Sequence, residues 1–577
     1  MGLLPCRHDF NISVQVQKMR RTMRKPLLIT VAAILIAATA ATAWFSYSYD
    51  DNLKLSIAKW VTEATDSTYR VEIGDAQLNI VNREITATNI RLIPDVQRMQ
   101  AMQKQGMGED IYYELTIPSL TATGVNWAGY ISRKQLSCKK LMLDKAQLTI
   151  TRPHDFQLYV DTAKTAKVEE QPLLKKLHAD ELSITNVNVI NRYISATDTS
   201  YLYLDNGNVV LTDWTYEPRE KRDPESFAFA ENGKIAFGSI RQTAGKSLYK
   251  INCRDISFST QDKTVTLKNL MIEPTMSNDS FYSYVGKRTE IFRVRVPELT
   301  LGGISWQKLV NDGELRVHNT FIKNAAMDVH FSMLLPSSGV NKGGQFPQQL
   351  LQNAGMPIEL KNVMVENSVV TYTEVSKLTN KPGSIAFSEI NGIIRNVTNI
   401  PEQLKANKWA VADLKGKFNK ESDLKANFVF YLGDSTGKFQ VDGYAKNIRA
   451  AQVNEVAQAL ALAEIKSLDI DSVDIKIRGN ENSSTGDFTI LYNDLKVGLQ
   501  KINKETGKAE TKAVSSFVAN HALLHRENPE PGKPVRTASS IVNRSPKAGF
   551  FNIIWKNIFQ GAANTAARNE EVVKLMD

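Results

Sequence analysis

Hydrophobic and polar residues alternate along most of this chain. From Tyr69 onward, segments of about five to ten residues have a period of two and are bounded by Gly, Asn, Asp or Pro, as expected for β-strands with one apolar face. Clear examples are ELSITNVNV at 181–189 and LDIDSVDIKI at 468–477. The pattern predicts about 25 to 28 strands and therefore a mainly β fold.

Helical spacing of apolar residues is confined to a few short segments. These lie at 53–69, 94–105, about 157–178, 450–464 and in the C-terminal segment. The sequence therefore predicts only a few short helices among the strands.

Two stretches of the chain have nearly the same sequence. IPSLTATGVNW occupies 117–127, and VPELTLGGISW occupies 296–306. The segments that begin at Tyr69 and Tyr249 also match, and LSITN in the first half matches VMVEN in the second. The offsets are all close to 180 residues. They indicate a tandem duplication in which each copy contains several strands.

The apolar face of each strand must be covered. A second sheet would give ordinary sandwiches, whereas a long sheet that curls on itself would give a trough whose apolar inner face holds lipid chains. The period of two is compatible with both, but tandem β-units that stack edge to edge favour one extended, curled, groove-like sheet. Trp127 and Trp306 fit packing within the repeats better than ligand contact. The candidate groove residues are Leu78, Ile80, Ile85, Leu120, Trp127, Val265, Leu267, Leu299 and Trp306.

An uncharged segment at 26–45 is long enough to cross a membrane as a helix. Basic residues precede it and Asp50 and Asp51 follow it, so the positive-inside rule places the body outside the cytoplasm. Cleavage after Ala43 as a signal peptide is the alternative, but the apolar run is longer than most signal peptides have, which favours a retained anchor. The predicted anchor residues are Leu27, Leu28, Ile29, Val31, Ile34, Leu35, Ile36, Trp44 and Phe45.

The net charge of +10 is concentrated in two places. Residues 1–25 contribute +5 and residues 501–556 contribute +6, so the rest of the chain is close to neutral. A protein that binds nucleic acid would carry a basic face on its folded body. Basic segments beside apolar ones suit anionic membrane surfaces instead. We therefore expect membranes, and no nucleic acid, as partners.

Residues that could carry catalytic or metal chemistry form no recognisable set. Cys6, Cys138 and Cys253 lack metal-binding spacing. Cys138 aligns with Val317 of the other repeat and Cys253 with Ile73, so both are expected to be small buried hydrophobic residues. The seven histidines are scattered, and the common nucleophile, phosphate-loop and zinc motifs are absent. We expect a protein that is not an enzyme and holds no metal or cofactor.

The region at 437–499 contains the most specific pattern of the chain. A strand with GKFQVDGYAKN leads to a short helix carrying Asn454, then paired strands, a hairpin near Gly486 and YNDLKV. This region, the anchor, the opening strands from Tyr69 and the terminal GFFNIIWKNIFQGAANT resemble the AsmA-like family of bacterial envelope proteins, which belongs to the repeating β-groove lipid-transfer class. The resemblance implies a single-pass inner-membrane anchor, a periplasmic groove, and movement of phospholipid toward the outer membrane or support of outer-membrane biogenesis.

The C-terminal segment has one apolar helical stripe after a Pro-, Ser- and charge-rich stretch. It is expected either to contact a membrane or partner or to dock back and cover the last open strand edge. The contact residues would be Phe550, Phe551, Ile554, Trp555, Ile558 and Phe559.

The predicted fold class is mainly β: an N-terminal transmembrane helix, a long, curled, repetitive β-sheet with a few short helices, and a C-terminal amphipathic helix. The expected function is to shield phospholipid and transfer it toward the outer membrane, or to support outer-membrane biogenesis. The expected partners are phospholipid and the inner membrane, with the outer membrane and envelope proteins as further candidates. The alternative is a structural or assembly scaffold that carries no lipid. The predicted domains are 1–25 basic cytoplasmic N-terminus, 26–45 anchor, 51–248 first repeat, 249–400 second repeat, 401–501 AsmA-like C-terminal β region, 502–548 flexible tether and 549–577 amphipathic segment.

Overall fold

The structure is a computed structural model in which the chain forms two compact units. The first contains Met1–Leu270 and Gly302–Gly313, and the second contains Met271–Leu301 and Glu314–Asp577. The described residues are 58, 59, 61, 62, 65, 67–104, 111–133, 135–153, 175–196, 198–217, 227–244, 247–461, 463–502, 509–511 and 523–568.

The described residues of the first unit form a mixed β-sheet, short α-helices and a π-helical turn, Lys308–Asp312. Helix α1 is Val96–Lys104 and helix α2 is Trp127–Arg133. Residues 58, 59, 61 and 62 are also helical. Strand β11, Thr264–Pro274, begins in this unit and ends in the second. The other strands are β1 Tyr69–Glu72, β2 Asp75–Asn79, β3 Glu84–Pro94, β4 Tyr112–Thr123, β5 Gln135–Asp144, β6 Gln147–Arg152, β7 Lys176–Ile194, β8 Thr199–Tyr216, β9 Asn232–Ala244 and β10 Tyr249–Ser259.

The second unit also contains a mixed sheet. Its helices are α3 Asn278–Val285, α4 Pro347–Gln352, α5 Pro401–Ala406, α6 Ala450–Ala461 and α7 Phe550–Ala566. Its strands are β12 Glu290–Gly302, β13 Leu315–Lys323, β14 Ala326–Ser332, β15 Ile358–Val375, β16 Pro382–Thr398, β17 Trp409–Phe418, β18 Ser422–Tyr431, β19 Phe439–Arg449, β20 Ala463–Gly479, β21 Ser483–Ile502, β22 Ala509–Thr511 and β23 Thr537–Asn543.

Strands account for 60% and helices for 16% of the structure, which confirms a mainly β fold with few helices. Among the described residues, no helix is both long and apolar enough to cross a membrane. The predicted anchor at 26–45 lies outside the described residues.

The predicted duplication is visible in the strand pairing of the two units. In the first unit, the long strand β7 pairs in parallel with the two shorter strands β5 and β6, and antiparallel with β8. In the second unit, β15 pairs in parallel with β13 and β14, and antiparallel with β16. The strands β4 and β12 pair antiparallel with β6 and β14. Each repeat therefore encodes the same supersecondary arrangement.

Asparagines in the left-handed region mark equivalent bulges in the two repeats. Asn186 and Asn367, the last residues of LSITN and VMVEN, have φ values of 55° and 44°, and the strand register shifts around both. The N–H of Asn186 donates to Asn208 Oδ1 at 3.4 Å, and that of Asn367 donates to Asn391 Oδ1 at 3.0 Å. Asparagine tolerates this conformation better than most residues. A bulge adds one residue to the strand. The alternation of apolar residues shifts by one position there, so the apolar side chains before and after the bulge lie on the same face.

The first unit has one large core on the face of the sheet that we call the inner face. It is built from strands β1 to β8 and is joined by Met99 of α1 and by Val61. Fully buried members include Ile117 and Leu177, both 0% exposed. Helix α1 therefore covers the opening strands of the first repeat.

The second unit has two smaller cores near its C-terminal end. One contains Phe346, Phe439 and Phe488 together with residues of α7. The other contains Tyr492 and Leu495 of β21 and is contacted by Val453 of α6. Both helices therefore pack on the last strands of this unit.

The segment at 502–548 was predicted as a flexible tether, and its described residues contradict this. Strand β23 pairs antiparallel with β21. Asn528 is 1% exposed, and its Nδ2 donates to Ile490 O at 2.7 Å and to Arg536 O at 2.9 Å. The N–H of Arg536 donates back to Asn528 Oδ1 at 2.8 Å. These bonds fix the Pro-rich loop on the sheet, because a buried amide must satisfy its polar atoms.

Cys138 and Cys253 are both buried and free, as expected of small hydrophobic residues. Burial, with a smaller contribution from Asp180, raises the pKa of Cys138 to about 12. Val317, its equivalent in the other repeat, is also buried. Cys6 lies outside the described residues.

Candidate functional site

The inner face of the first unit is closed over its early strands. Ile85 of β3 and Leu120 of β4 are each 2% exposed and belong to the core. Leu78 and Trp127 are partly buried and pack against the same core. Ile85 and Leu120 were predicted to contact lipid, and this is wrong for the present structure because neighbouring side chains enclose them completely.

Ile80 contradicts its prediction in the opposite way. It is 60% exposed and lies in the turn between β2 and β3 rather than within a strand. The N–H of Arg83 donates to Ile80 O at 3.3 Å and closes this turn. Leu78 and Ile80 are apolar at alternate positions, as in a strand, but β2 ends at Asn79 and Ile80 is the first residue of the turn.

The same inner face becomes open on the later strands of the first unit. Val189 of β7 packs against the core. Its cross-strand neighbour Leu204, and Ile240 opposite Leu204 on β9, are only half-buried. We call the half-buried apolar side chains on β8, β9 and β10 the first open strip. It consists of Leu202, Leu204, Ile235, Ile240, Ile251 and Ile256.

The predicted groove residues of β11 and the second tryptophan are also half-buried. Val265 and Leu267 are the repeat equivalents of Ile85 and Ala87, which are both enclosed in the core. Trp306 contacts Phe258 with ring centroids 4.6 Å apart, and Phe227 with centroids 6.2 Å apart. Packing within the repeat therefore accounts for one face of this tryptophan.

The second unit has a comparable strip on strands β12, β14, β15 and β16. Val294, Met327, Val370 and Phe387 are successive cross-strand neighbours, and all are half-buried. Phe387 contacts Phe418 of β17, which packs against one of the two cores. We call Val294, Met327, Val329, Val370 and Phe387 the second open strip. Leu299, predicted as a groove residue, is half-buried in the same unit.

One end of the second open strip is polar. Tyr372 follows Val370 on the same face of β15, and its Oη donates to Glu374 Oε2 at 2.7 Å. Burial is the main cause that raises the pKa of Tyr372, so the phenol stays protonated. Glu290 of β12 forms an ion pair with Lys342 nearby, on the strand that pairs with β14. An apolar strip that ends in charged and hydrogen-bonding groups suits an amphipathic ligand.

The predicted C-terminal contact residues divide between two faces of α7. Phe550 and Ile554 are buried and Ile558 is half-buried, all packed in the core with Phe439. Phe551, Trp555 and Phe559 are 69%, 38% and 40% exposed. The prediction of an exposed contact is therefore wrong for Phe550, Ile554 and Ile558, whose side chains pack in the core.

Helix α7 also covers the outer edge of β23. The N–H of Ile541 donates to Gln560 Oε1 at 3.1 Å, and Asn564 Nδ2 donates to Ser539 O at 2.7 Å. These amides satisfy backbone groups that an edge strand leaves unpaired. The structure thus supports edge capping, the alternative given for this segment.

A buried polar group that the sequence analysis missed fixes the position of α7. Asn557 is 0% exposed, and its Nδ2 donates to Ser484 Oγ at 2.6 Å. Ser540 Oγ donates to Asn557 Oδ1 at 2.7 Å. An asparagine within an apolar helical stripe was the only signal of this contact.

The indole Nε1 atoms of Trp127 and Trp306 are buried without a hydrogen-bond partner. The part of the chain that the structure describes contains no group of three His, Cys, Asp or Glu side chains that could hold a metal ion. The chain matches no protein-family model and no curated protein.

Proposed function

We propose that this chain is a non-enzymatic, AsmA-like lipid-handling protein of the bacterial cell envelope. In this proposal residues 26–45 anchor it in the inner membrane, the body lies in the periplasm, and its sheet forms a groove that shields phospholipid and transfers it toward the outer membrane or supports outer-membrane biogenesis. The observation that carries the proposal is the pair of open strips, one in each unit, whose side chains are apolar but only half-buried.

Acyl chains are the ligand that these strips fit best. An uncovered apolar surface costs free energy in water, and burial of a methylene group is worth about 0.8 kcal/mol. A ligand with long hydrocarbon chains would recover this free energy along several strands without specific polar contacts. Aliphatic side chains such as Ile240 and Val370 provide such a surface.

The polar end of the second open strip offers a place for a headgroup. Lys342 provides a positive charge, while Glu290 and Glu374 provide hydrogen-bond acceptors. A phospholipid carries charge at one end only, so this arrangement would orient it with its acyl chains along Val370 and Met327.

The second candidate function is a scaffold of the envelope that carries no lipid. The closed cores favour it: Ile85 and Leu120 in the first unit, and Phe439 and Phe488 in the second, are packed as in an ordinary globular protein. A scaffold would use the open strips for protein partners.

Photo-crosslinking of the full chain tests the proposal. A photoreactive amino acid replaces Met327, on the second open strip, or the adjacent Asp328, which is exposed on the opposite face of β14. Ile235 and Lys234 of β9 form a matched pair in the first unit. The full chain is expressed in a bacterial host and irradiated there, and adducts are identified by mass spectrometry.

We expect phospholipid adducts at Met327 and Ile235 and none at Asp328 and Lys234. Protein adducts alone at the two strip positions would favour the scaffold. Equal lipid labelling on both faces would overturn the proposal, because it would reflect general contact with membranes.

A further inference from the structure

The outward face of α7 is apolar, although the inward face already packs on the sheet. We infer that this outward face docks on the surface of an anionic lipid bilayer, with the helix lying parallel to the membrane plane. The inference goes beyond lipid carriage, because a protein without a lipid cargo could use the same contact.

The geometry of α7 separates its two apolar faces. Phe551, Trp555 and Phe559 follow one another at intervals of four residues, so they form one exposed stripe along the helix. The opposite face carries Phe550 and Asn557, which are buried against the sheet. The exposed stripe is therefore not needed to hold α7 in place.

The charges around the stripe favour an anionic partner. Lys556 lies on the exposed side of α7, and Lys547 precedes the helix. No Asp or Glu occurs between residues 531 and 569. Arg536, Arg544 and Arg568 donate to backbone carbonyl groups, and Lys533 forms an ion pair with Glu530. Lys547 and Lys556 are the exposed cations that remain beside the stripe. A basic helix with exposed aromatic rings is typical of a segment that binds an anionic membrane interface.

The length of α7 favours binding in the membrane plane. The helix has 17 residues, which is shorter than the roughly 20 apolar residues that a transmembrane helix needs. Tryptophan and phenylalanine next to lysine suit the boundary between headgroups and acyl chains. A protein partner or a second copy of this chain would need no such excess of positive charge.

Capture of vesicles by the full chain tests this inference. The full chain is held in phosphatidylcholine nanodiscs, so that any N-terminal anchor is already occupied. Labelled vesicles of phosphatidylglycerol and phosphatidylethanolamine, or of phosphatidylcholine alone, are then added, and captured label is measured at several salt concentrations. Light scattering reports the mass of the nanodisc complexes without vesicles.

Three variants separate the contributions. The first replaces the stripe by F551S, W555S and F559S, the second carries K547Q and K556Q, and the third is a matched control. The control L350S and L378S removes two leucines of the same unit that are 55% and 62% exposed but lie outside α7. All substitutions affect exposed or surface side chains, and resistance of residues 549–568 to proteolysis verifies that α7 stays docked.

We expect the original chain and the control to capture anionic vesicles equally, and the stripe variant to capture at least about ten-fold less. The lysine variant should lose on the order of five-fold affinity per lysine and become less sensitive to salt. Capture by the stripe variant at the original level would overturn the inference. Equal capture of phosphatidylcholine vesicles would also overturn it. The same holds if the stripe variant differs from the original chain only in a smaller complex mass, because the stripe would then bind a second copy of the chain.

Discussion

Leu120 and Leu299 occupy equivalent positions in the two repeats, but only Leu120 is enclosed. Leu120 is 2% exposed within the core of the first unit, whereas Leu299 is half-buried. The side chains are identical, and their strands share one equivalent pairing, of β4 with β6 and of β12 with β14. The difference between a closed core and an open strip therefore depends on what covers the strand, and not on the residue itself.

This pair gives a direct test of stability. Leu120→Ala should lower the free energy of unfolding by about 2 to 5 kcal/mol, because it leaves a cavity in a closed core. Leu299→Ala should cost about 1 kcal/mol or less, because the leucine is already partly hydrated. Denaturant unfolding of the full chain, followed by fluorescence, measures both. Equal losses would mean that Leu299 is covered in solution.

A charge on an open strip should remove bound lipid without unfolding the protein. We expect Met327→Glu to reduce phospholipid that copurifies with the full chain by about ten-fold, because a carboxylate against acyl chains loses its hydration. Asp328→Lys changes charge on the opposite face and should leave the lipid content unchanged. Lipid is quantified by mass spectrometry after identical detergent washes. Unchanged lipid in the Met327→Glu protein would count against the strip as the binding surface.

The buried amide under α7 should be essential for docking of the helix. Asn557→Ala leaves the Ser484 and Ser540 hydroxyls without their partner, which costs about 1 to 3 kcal/mol for each unsatisfied group. We expect faster proteolysis within residues 549–568. Asn552→Ala, on the exposed face of the same helix, is the control and should cleave at the original rate. Equal rates for both variants would show that the apolar contacts alone hold α7.

Stability of the second unit should decrease in mild acid through His330. Burial, and secondarily Arg293, lowers the pKa of His330 below its usual 6.5, while Asp279 acts in the opposite direction. The unfolded chain then binds the proton more readily than the folded one. The contribution of neutral His330 to the free energy of unfolding is therefore fully present above about pH 6.5 and is lost as the pH falls below that value. The Oη of Tyr282 lies 2.9 Å from His330 Nδ1 and ties α3 to β14.

Thermal unfolding between about pH 7.5 and 5.5 measures this effect. We expect the His330→Gln protein, which has no titratable group at this position, to lose less stability over this range than the original chain. Parallel pH dependence in the two proteins would assign the acid sensitivity to other groups.

The duplication and the mainly β fold could be predicted because they depend on local sequence. The matching strings predict the repeated order of strands, whereas the positive φ of Asn186 and Asn367 was not predicted and is seen only in the structure. The closed or open state of the inner face could not be predicted in this way. It depends on distant side chains such as Met99 and Val61, which cover the first repeat, and a period of two carries no information about them.

The C-terminal region shows the same limit. A Pro-rich stretch with charged residues usually has too little apolar surface to fold, but Asn528 fixes it through three hydrogen bonds. Likewise, the sequence predicts one apolar surface on α7, whereas in the structure one side, with Asn557, is packed and the other is exposed. In both cases one buried asparagine with satisfied hydrogen bonds determines how the segment packs. The amino-acid composition of a segment does not show the effect of a single residue.

The amides of Gln560 and Asn564 also bear on how this protein avoids polymerising. A strand with free N–H and C=O groups is a template on which the sheet of another molecule can continue growing, which leads to fibres and insoluble deposits. Here the chain blocks the template at β23 with its own side chains. Any cleavage that releases α7 would therefore expose this edge and favour aggregation.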